Sequence, residues 1–458
     1  MSEKSLSNDS ESDDSEIPFY QENEMDDLIT NIHDYIEEYL PSEVFKMSKL
    51  DFHKDMVEDI AHVLFQHLQD AGIYQEDNYN PLLRFVELYC HEYFENKEDL
   101  NYPMRSEDHF KGNFHYEKFG LDETFVVEYI AKKLTQLRVL NQSAPKQRTP
   151  EWYKQRYNMM TASNLWQALS TESQRNRFIY EKCRPLDFGY TENKWINTDN
   201  PLHWGVKYEP LTCLVYEKIT GANVEEFGCI QHEKYPFLGA SPDGIVTNVD
   251  SPFYGRMLEI KNIYNREMDG IPSEAYWIQI QMQLECCNLD VCDFVETRFK
   301  EYASQEEFFQ EQDRNITRGI ILHFIPKDGK SNVPVYKYIP FDIALNENAI
   351  DEWISQCKLE LPEHAVYVKI YWYLDEIMIS TVERNSKWFE AALPILKETW
   401  ATIERERVTG YEHRAAKKRI INDVIIVSAM DGSESHMIQN MPVNNCGICL
   451  IKIDSDEK

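Results

Sequence analysis

The sequence predicts an α/β core, preceded by a helical region and followed by a further extension. Three observations point there. Up to about residue 140, apolar side chains recur every three or four positions. After a polar, proline-bearing stretch, NQSAPKQRTPEW (141–152), the pattern changes to short apolar runs of strand length. Those runs include a Ser-Pro-Asp-Gly turn in FLGASPDGIV (237–246) and an alternating strand, MLEIKN (257–262).

The chain has 458 residues, which sets an expectation of about three structural units. Its hydrophobic content of 42% is enough for a real core. The net charge of −32 argues against a polyanionic partner for the chain as a whole. That charge is uneven: residues 1–145 carry 12 basic and 32 acidic side chains, 146–300 carry 17 and 21, and 301–458 carry 18 and 26. The middle third is therefore close to neutral and leaves room for local basic grooves. Ten irregularly spaced cysteines and a polar, acidic beginning, MSEKSLSNDS, point to reduced thiols and an intracellular, non-secreted protein. No window reaches the ~18 apolar residues of a membrane span.

In chain order, residues 1–27 hold ten acids and one lysine and read as a disordered acidic tail. Residues 28–140 read as a separate helical N-terminal domain. Its helices are LITNIHDYIEEYL, MVEDIAHVLFQHLQDAG and FVVEYIAKKLTQLRVL, the last with Asp122 placed as its cap. Residues 141–345 form the core. It contains helices over EWYKQRYNMM, after TASN, over GVKYEPLTCLVYEKITG and over AYWIQIQMQLECC, with strands at FLGA, MLEIK, VCDFVETRF, RGIILHFIP and VPVYKYIPF. Residues 346–458 read as a helical C-terminal extension and tail, with a helix over 383–407.

Three carboxylates carry the chemistry. Asp243 lies in the tight turn. Glu259 and Lys261 are two residues apart on the next strand and so share a face. Between them Gly244, Asp250, Ser251, Pro252 and Gly255 suit a hairpin that sets the strand ends side by side. Glu209 lies upstream on a helix. Mg²⁺ takes a few carboxylate oxygens and keeps several waters; such a cation activates water and stabilises a charged phosphorane-like transition state. A neighbouring lysine orients or deprotonates the water, or neutralises the phosphate. An isolated Asp…Glu-x-Lys also arises on ordinary charged hairpins, so the surroundings decide.

Those surroundings are specific. RTPEWYKQRYNMMTASN, WGVKYEPLTCLVYEKITG, LGASPDGIV, LEIKN and AYWIQIQMQL occur in this order. Together they resemble the YqaJ-type viral recombinase family, which includes phage lambda exonuclease and belongs to the PD-(D/E)XK nucleases. The resemblance spans roughly residues 148–300. It implies a mixed central sheet flanked by helices and a Mg²⁺-dependent DNA nuclease, with Mn²⁺ able to substitute. It points to a 5′→3′ exonuclease on linear double-stranded ends that leaves 3′ single strands for recombination, repair or replication. Asp243, Glu259 and Glu209 are similar to the family's metal-binding acids, Lys261 to its catalytic lysine, and Gln279 to the glutamine near the metal and water. Tyr276 matches an aromatic position. Arg156, Ser163 and Ser241 match the positions that grip a terminal 5′-phosphate; a guanidinium fork suits phosphate, and a helix start favours anions. The resemblance also implies a ring trimer, a single-strand annealing partner and a large-DNA-virus origin, hence host cytoplasm (viral factory) or nucleus. The chain departs from the family where Cys-Pro commonly follows the lysine and Asn262-Ile263 stands here, and at Cys286-Cys287-Asn288 after the closing helix.

Two alternatives remain on the same residues. A structure-selective or nicking endonuclease would cut closed circles, and a non-catalytic scaffold with a vestigial nuclease fold would show no carboxylate-dependent Mg²⁺ binding. Elsewhere, Cys446 and Cys449 lack the second ligand pair that structural zinc needs. His203 and His232 read as structural. Most tryptophans of the middle third read as core, with Trp195 and Trp204 placed to stack on bases. HRAAKKR (413–419) reads equally as a backbone-binding or import signal and as a solvated helix end.

Overall fold

The computed structural model of the protein describes residues 22–95, 123–186, 195–198, 200–313 and 315–415. The chain opens with helices α1 (Glu22–Ser42), α2 (Phe52–Asp70) and α3 (Tyr79–Glu95). Each buries a stripe at i, i+4 spacing: Ile32 and Ile36, then Met56, Ile60 and Leu64, then Leu82, Val86 and Cys90. Helix α4 (Glu123–Ser143) follows, then α5 (Pro150–Tyr157), strand β1 (Met160–Thr161), α6 (Ala162–Leu169), α7 (Glu172–Cys183) and α8 (Pro201–Thr220). Local chemistry fixes these boundaries. The Thr149 hydroxyl accepts from Trp152 N–H with Pro150 in the first turn of α5. Asn200 does the same for α8 ahead of Pro201, and Gly221 ends that helix in the left-handed conformation.

Four short strands come next: β2 (Val224–Glu225), β3 (Ile230–Gln231), β4 (Leu238–Ala240) and β5 (Gly244–Val246). They lead to β6 (Met257–Asn262), α9 (Glu274–Cys287), β7 (Val291–Glu301), α10 (Gln305–Gln310), β8 (Arg318–Pro326), β9 (Val335–Tyr338), α11 (Glu347–Glu360), β10 (His364–Glu383) and α12 (Ser386–Thr409). One mixed sheet runs β2-β5-β6-β7-β10-β8-β9 and a small one runs β1-β4-β3. In the large sheet β6 and β7 pair in parallel, a connection that needs a crossover, and α9 supplies it. From Ile280 to Cys287 every residue of α9 is buried, as expected of a helix enclosed on all sides.

Two expectations change. Helices α1 to α3 are not a separate body: their apolar stripes share one continuous core with α6, α9 and α12, and the described residues up to Ala415 form one compact unit. Trp388 is the rivet. It is fully buried, meets Trp277 edge-on at 5.6 Å and donates its indole N–H to the Val44 carbonyl at 3.3 Å. Helix α4 joins the same body. Its Ile130 lies over Gly255, where a Cβ would come within 2.6 Å, at a φ of +82°. Lys133 pairs with Asp290 at 2.9 Å and Arg138 with Glu225 at 2.7 Å.

The second change is β10. Residues 364–383, expected in a helical extension, form a 20-residue strand between β7 and β8 near the middle of the sheet. Few of its side chains are fully buried, and its register shifts between Leu374 and Glu376. The alternation that would announce a strand is thus diluted and broken. Helix α1 begins at Glu22, inside the stretch expected to be disordered. Residues 1–21, Asp122, 416–419 of the basic cluster, and Cys446 and Cys449 lie outside the described residues. Among the described residues no helix is long and apolar enough to cross a membrane.

Candidate active site

The β5–β6 hairpin brings the predicted acids together. Gly244 pairs with Leu258, and one residue earlier Asp243 N–H donates to the Leu258 carbonyl at 3.1 Å. The Asp243 carboxylate accepts from the Ile260 N–H at 2.7 Å, so it is held between the two neighbours of Glu259. The following glycine has a steric cause: a Cβ on Gly244 would lie 2.2 Å from Val224 Cγ1 on β2.

Glu259 is 1% exposed and fully supplied with donors. Lys261 Nζ and Gln279 Nε2 donate to its Oε1, the latter at 2.7 Å, and Gln283 Nε2 donates to Oε2 at 2.7 Å. A buried carboxylate needs such donors. Gln283 also donates to the Ser241 carbonyl at 3.1 Å. It was not singled out in the sequence, although it stands one helical turn beyond Gln279 and therefore on the same face of α9. Gln281, between them, faces away: it donates to Glu383 C=O at 2.8 Å and accepts from Asn385 N–H at 2.6 Å, fastening α9 to the β10–α12 junction. Lys261 Nζ stands 4.5 Å above the Tyr276 ring. Burial alone would lower the Lys261 ammonium, but Glu259 and Asp243 outweigh it and raise it, so this lysine is a cation at neutral pH.

Burial, then Glu259 and Glu209, push the Asp243 carboxyl well above its ordinary range. Glu209 is exposed, yet desolvation of its carboxyl, then Glu259, raise it too, against the pull of Lys261. Helix α8, which carries Glu209, is locked to the sheet by the residue that departs from the family. The Asn262 Oδ1 accepts from Thr212 at 2.8 Å and from Thr297 at 2.9 Å.

The donor set is all oxygen and anionic; burial first, then mutual repulsion, raise both carboxyls. That chemistry fits a hard divalent cation. Among the described residues no three acids, histidines or cysteines already form a closed metal cage, so a cation here would rest chiefly on Asp243 and Glu259 and complete its shell with water.

Arg156, Ser163 and Ser241 gather around the small sheet. Thr161 pairs in parallel with Gly239, so Ser163 and Ser241, each two residues further on, leave the pair at the same end. Ser163 is exposed in the first turn of α6. The Ser241 hydroxyl is buried beside the Cys229 thiol. Arg156 stacks on Trp152 at 4.6 Å and donates to Thr161 Oγ1 at 3.4 Å; burial lowers it. Two residues that the sequence did not offer complete this corner. Lys182 on α7 donates to the Arg156 and Met159 carbonyls at 2.9 and 2.6 Å, and Arg407 on α12 donates to Tyr157 C=O at 2.6 Å.

A cleft of about 1200 Å³ opens beside Tyr276 between α2, α6 and the start of α9, with Lys49, Lys54, Trp166 and Arg266 on its walls and Asp51 and Glu274 among its acids. Trp204 packs on Tyr208 at 4.4 Å, and Trp195 is 65% exposed. His203 hydrogen-bonds Tyr336 at 2.7 Å and His232 stacks on Phe389, both as structural groups.

Comparison with known proteins agrees with the motif reading. The family model described as YqaJ-like viral recombinase domain matches residues 151–290. The uncharacterized protein R354 of Acanthamoeba polyphaga mimivirus, a large DNA virus, is 28% identical over 316 residues, 61% of this chain. The match covers 56% of that relative, so the chain spans about half the length of the curated relative it matches. Two crystal structures of the LHK-Exo alkaline exonuclease from Laribacter hongkongensis, one in complex with dAMP, align at 17% and 18% identity with a TM-score of 0.33, covering 57% of this chain and 94% of theirs. The hairpin acids, Lys261, the amide face of α9 and Arg156 all fall inside residues 151–290, the stretch that matches the YqaJ-like viral recombinase domain.

Proposed function

We propose that the protein is a Mg²⁺-dependent deoxyribonuclease, a 5′→3′ exonuclease on linear double-stranded DNA ends that leaves 3′ single strands. The observation that carries the reading is the hairpin that sets Asp243 beside a buried Glu259, itself bound to Lys261. Asp243 and Glu259, helped by Glu209, would hold the cation, and Mn²⁺ would substitute. When bound, that cation supplies an activated water and neutralises charge on the phosphate. Lys261, kept cationic by the acids, balances negative charge that builds on the phosphoryl oxygens. Gln279 orients the water, Gln283 fixes Glu259, and Tyr276 holds the lysine in place. Arg156, Ser163 and Ser241 hold the terminal phosphate and so set polarity. The match to the YqaJ-like domain supports the same class. The products would suit a single-strand annealing partner, in host cytoplasm or nucleus, and a ring trimer would close the groove around the duplex.

The test is digestion of end-labelled linear duplex with Mg²⁺, comparing 5′-phosphate ends, 5′-hydroxyl ends and a closed circle, with Lys261→Ala as control. Loss of one strand from phosphorylated ends, with circles spared, is expected. Cut circles would replace exonuclease by endonuclease. Undiminished cleavage by Lys261→Ala would refute the mechanism, and no cleavage together with no Mg²⁺ binding would leave a scaffold.

A further inference from the structure

Three cations meet at the corner beside Ser241, and among the described residues no acid pairs with any of them. They come from three helices: Arg156 from α5, Lys182 from α7 and Arg407 from α12. The Arg156 head donates to the Thr161 hydroxyl, and the heads of the other two are held by main-chain carbonyls. Lys182 Nζ donates to the carbonyls of Arg156 and Met159. Arg407 donates to Tyr157 C=O and, at 2.8 Å, to the carbonyl of Lys182 itself. Three of these contacts tie down one turn, residues 156–159, from which Arg156 projects. In a chain of net charge −32, three clustered cations with only neutral partners form an arrangement that an anion would complete.

We propose that Lys182, backed by Arg407, is the positioning residue of the terminal-phosphate site headed by Arg156, and that the grip on a phosphorylated end depends on the charge that Lys182 carries. This rests on the nuclease reading for the identity of the anion as a DNA 5′-phosphate. Arg407 lies outside the matched family domain, so this part of the corner is a property of this chain rather than of the domain model.

Electrostatics supports the geometry. Burial first, then repulsion from Arg156 and Arg407, bring Lys182 down to about 7, with the Cys229 thiol pulling weakly the other way. Burial raises that thiol, against the pull of Arg156 on it. A phosphate dianion supplies the missing counter-charge and raises the lysine, so binding above about pH 7 takes up a proton. Affinity for the phosphorylated end then falls with rising pH by up to about tenfold per unit. The phosphate itself is already a dianion there, since its second ionisation lies near about 6.

The experiment measures binding by fluorescence anisotropy of duplexes with 5′-phosphate or 5′-hydroxyl ends, in EDTA, at pH 7 and pH 9. It compares wild type, Lys182→Met and Lys182→Arg. The wild-type preference for phosphate should fall about tenfold or more between the two pH values. Lys182→Arg should keep its preference at both, because its charge does not titrate. Lys182→Met should show at pH 7 the weak preference of wild type at pH 9. A wild-type preference without pH dependence, or Lys182→Met with the wild-type slope, overturns the inference. Should Lys182→Met not fold, Lys182→Arg decides: a slope equal to wild type's overturns it. A parallel digestion with Mg²⁺ separates the two readings. Lys261-dependent cleavage without any phosphate preference sinks this inference alone, and phosphate preference without cleavage sinks the nuclease reading alone.

Discussion

The acid end of the site and its cationic corner are electrostatic opposites built by different means. At the acid end, the buried Glu259 is held by side chains, two amides and a lysine, and Asp243 by a strand N–H. At the corner, Lys182 and Arg407 are held by main-chain carbonyls. The corner is ordered by neutral acceptors, the acid end by neutral amides together with one cationic lysine, and each keeps like charges close together: carboxyls pushed up at one place, a lysine pulled down at the other. The difference teaches what each would accept. The acids gain from a cation and the corner gains from an anion, and a metal-assisted cut next to a terminal phosphate needs both.

The contrast is broken most sharply at Lys261. Replacing it with Ala, or Glu259 with Gln, should lower DNA cleavage by roughly 10² to 10³, read as initial rates on end-labelled duplex. A loss below about tenfold would remove the acid end from the chemistry. Gln283→Leu comes next. It leaves one buried oxygen of Glu259 without its donor and should cost about 1–3 kcal/mol in urea unfolding; an unchanged midpoint would mean that the amide does not support the acid.

Asp243→Asn sharpens the repulsion argument. A carboxyl raised in the folded state holds its proton there after the unfolded chain has lost its own, so stability falls as pH rises through the folded value. Removing that charge should stabilise the metal-free protein at neutral pH by about 1 kcal/mol or more while abolishing cleavage. A lower melting temperature in EDTA would contradict the repulsion. The smallest effect is expected at Arg138, whose ion pair with Glu225 is exposed on both sides, 45% and 35%. Arg138→Ala should change stability by no more than about 1 kcal/mol, and calorimetry showing several times that would mean that the pair anchors α4 far more strongly than a surface contact can.

Much of the acid end was legible because it is local. Asp243, Gly244, Glu259 and Lys261 belong to one hairpin, whose register is set by its turn and by its two-residue period, and Gln279 and Gln283 follow on one face of the next helix. The cationic corner was not legible. Lys182 lies 26 residues from the Arg156 carbonyl it caps, and Arg407 lies 250 from Tyr157. No spacing rule links positions that meet only by packing.

The sequence alone determined the amphipathic helices, the hairpin with its acid–lysine pair and the order of motifs that resembles a viral recombinase domain. These depend on residues within a few turns or one strand of each other. Tertiary structure alone decided that α1 to α3 share the core of that domain through Trp388, that β10 enters the middle of the sheet, and that α12 brings Arg407 to the turn holding Arg156. Periodicity tells an apolar stripe that it will be buried but not against what; only closing the whole chain around one core chooses the partner.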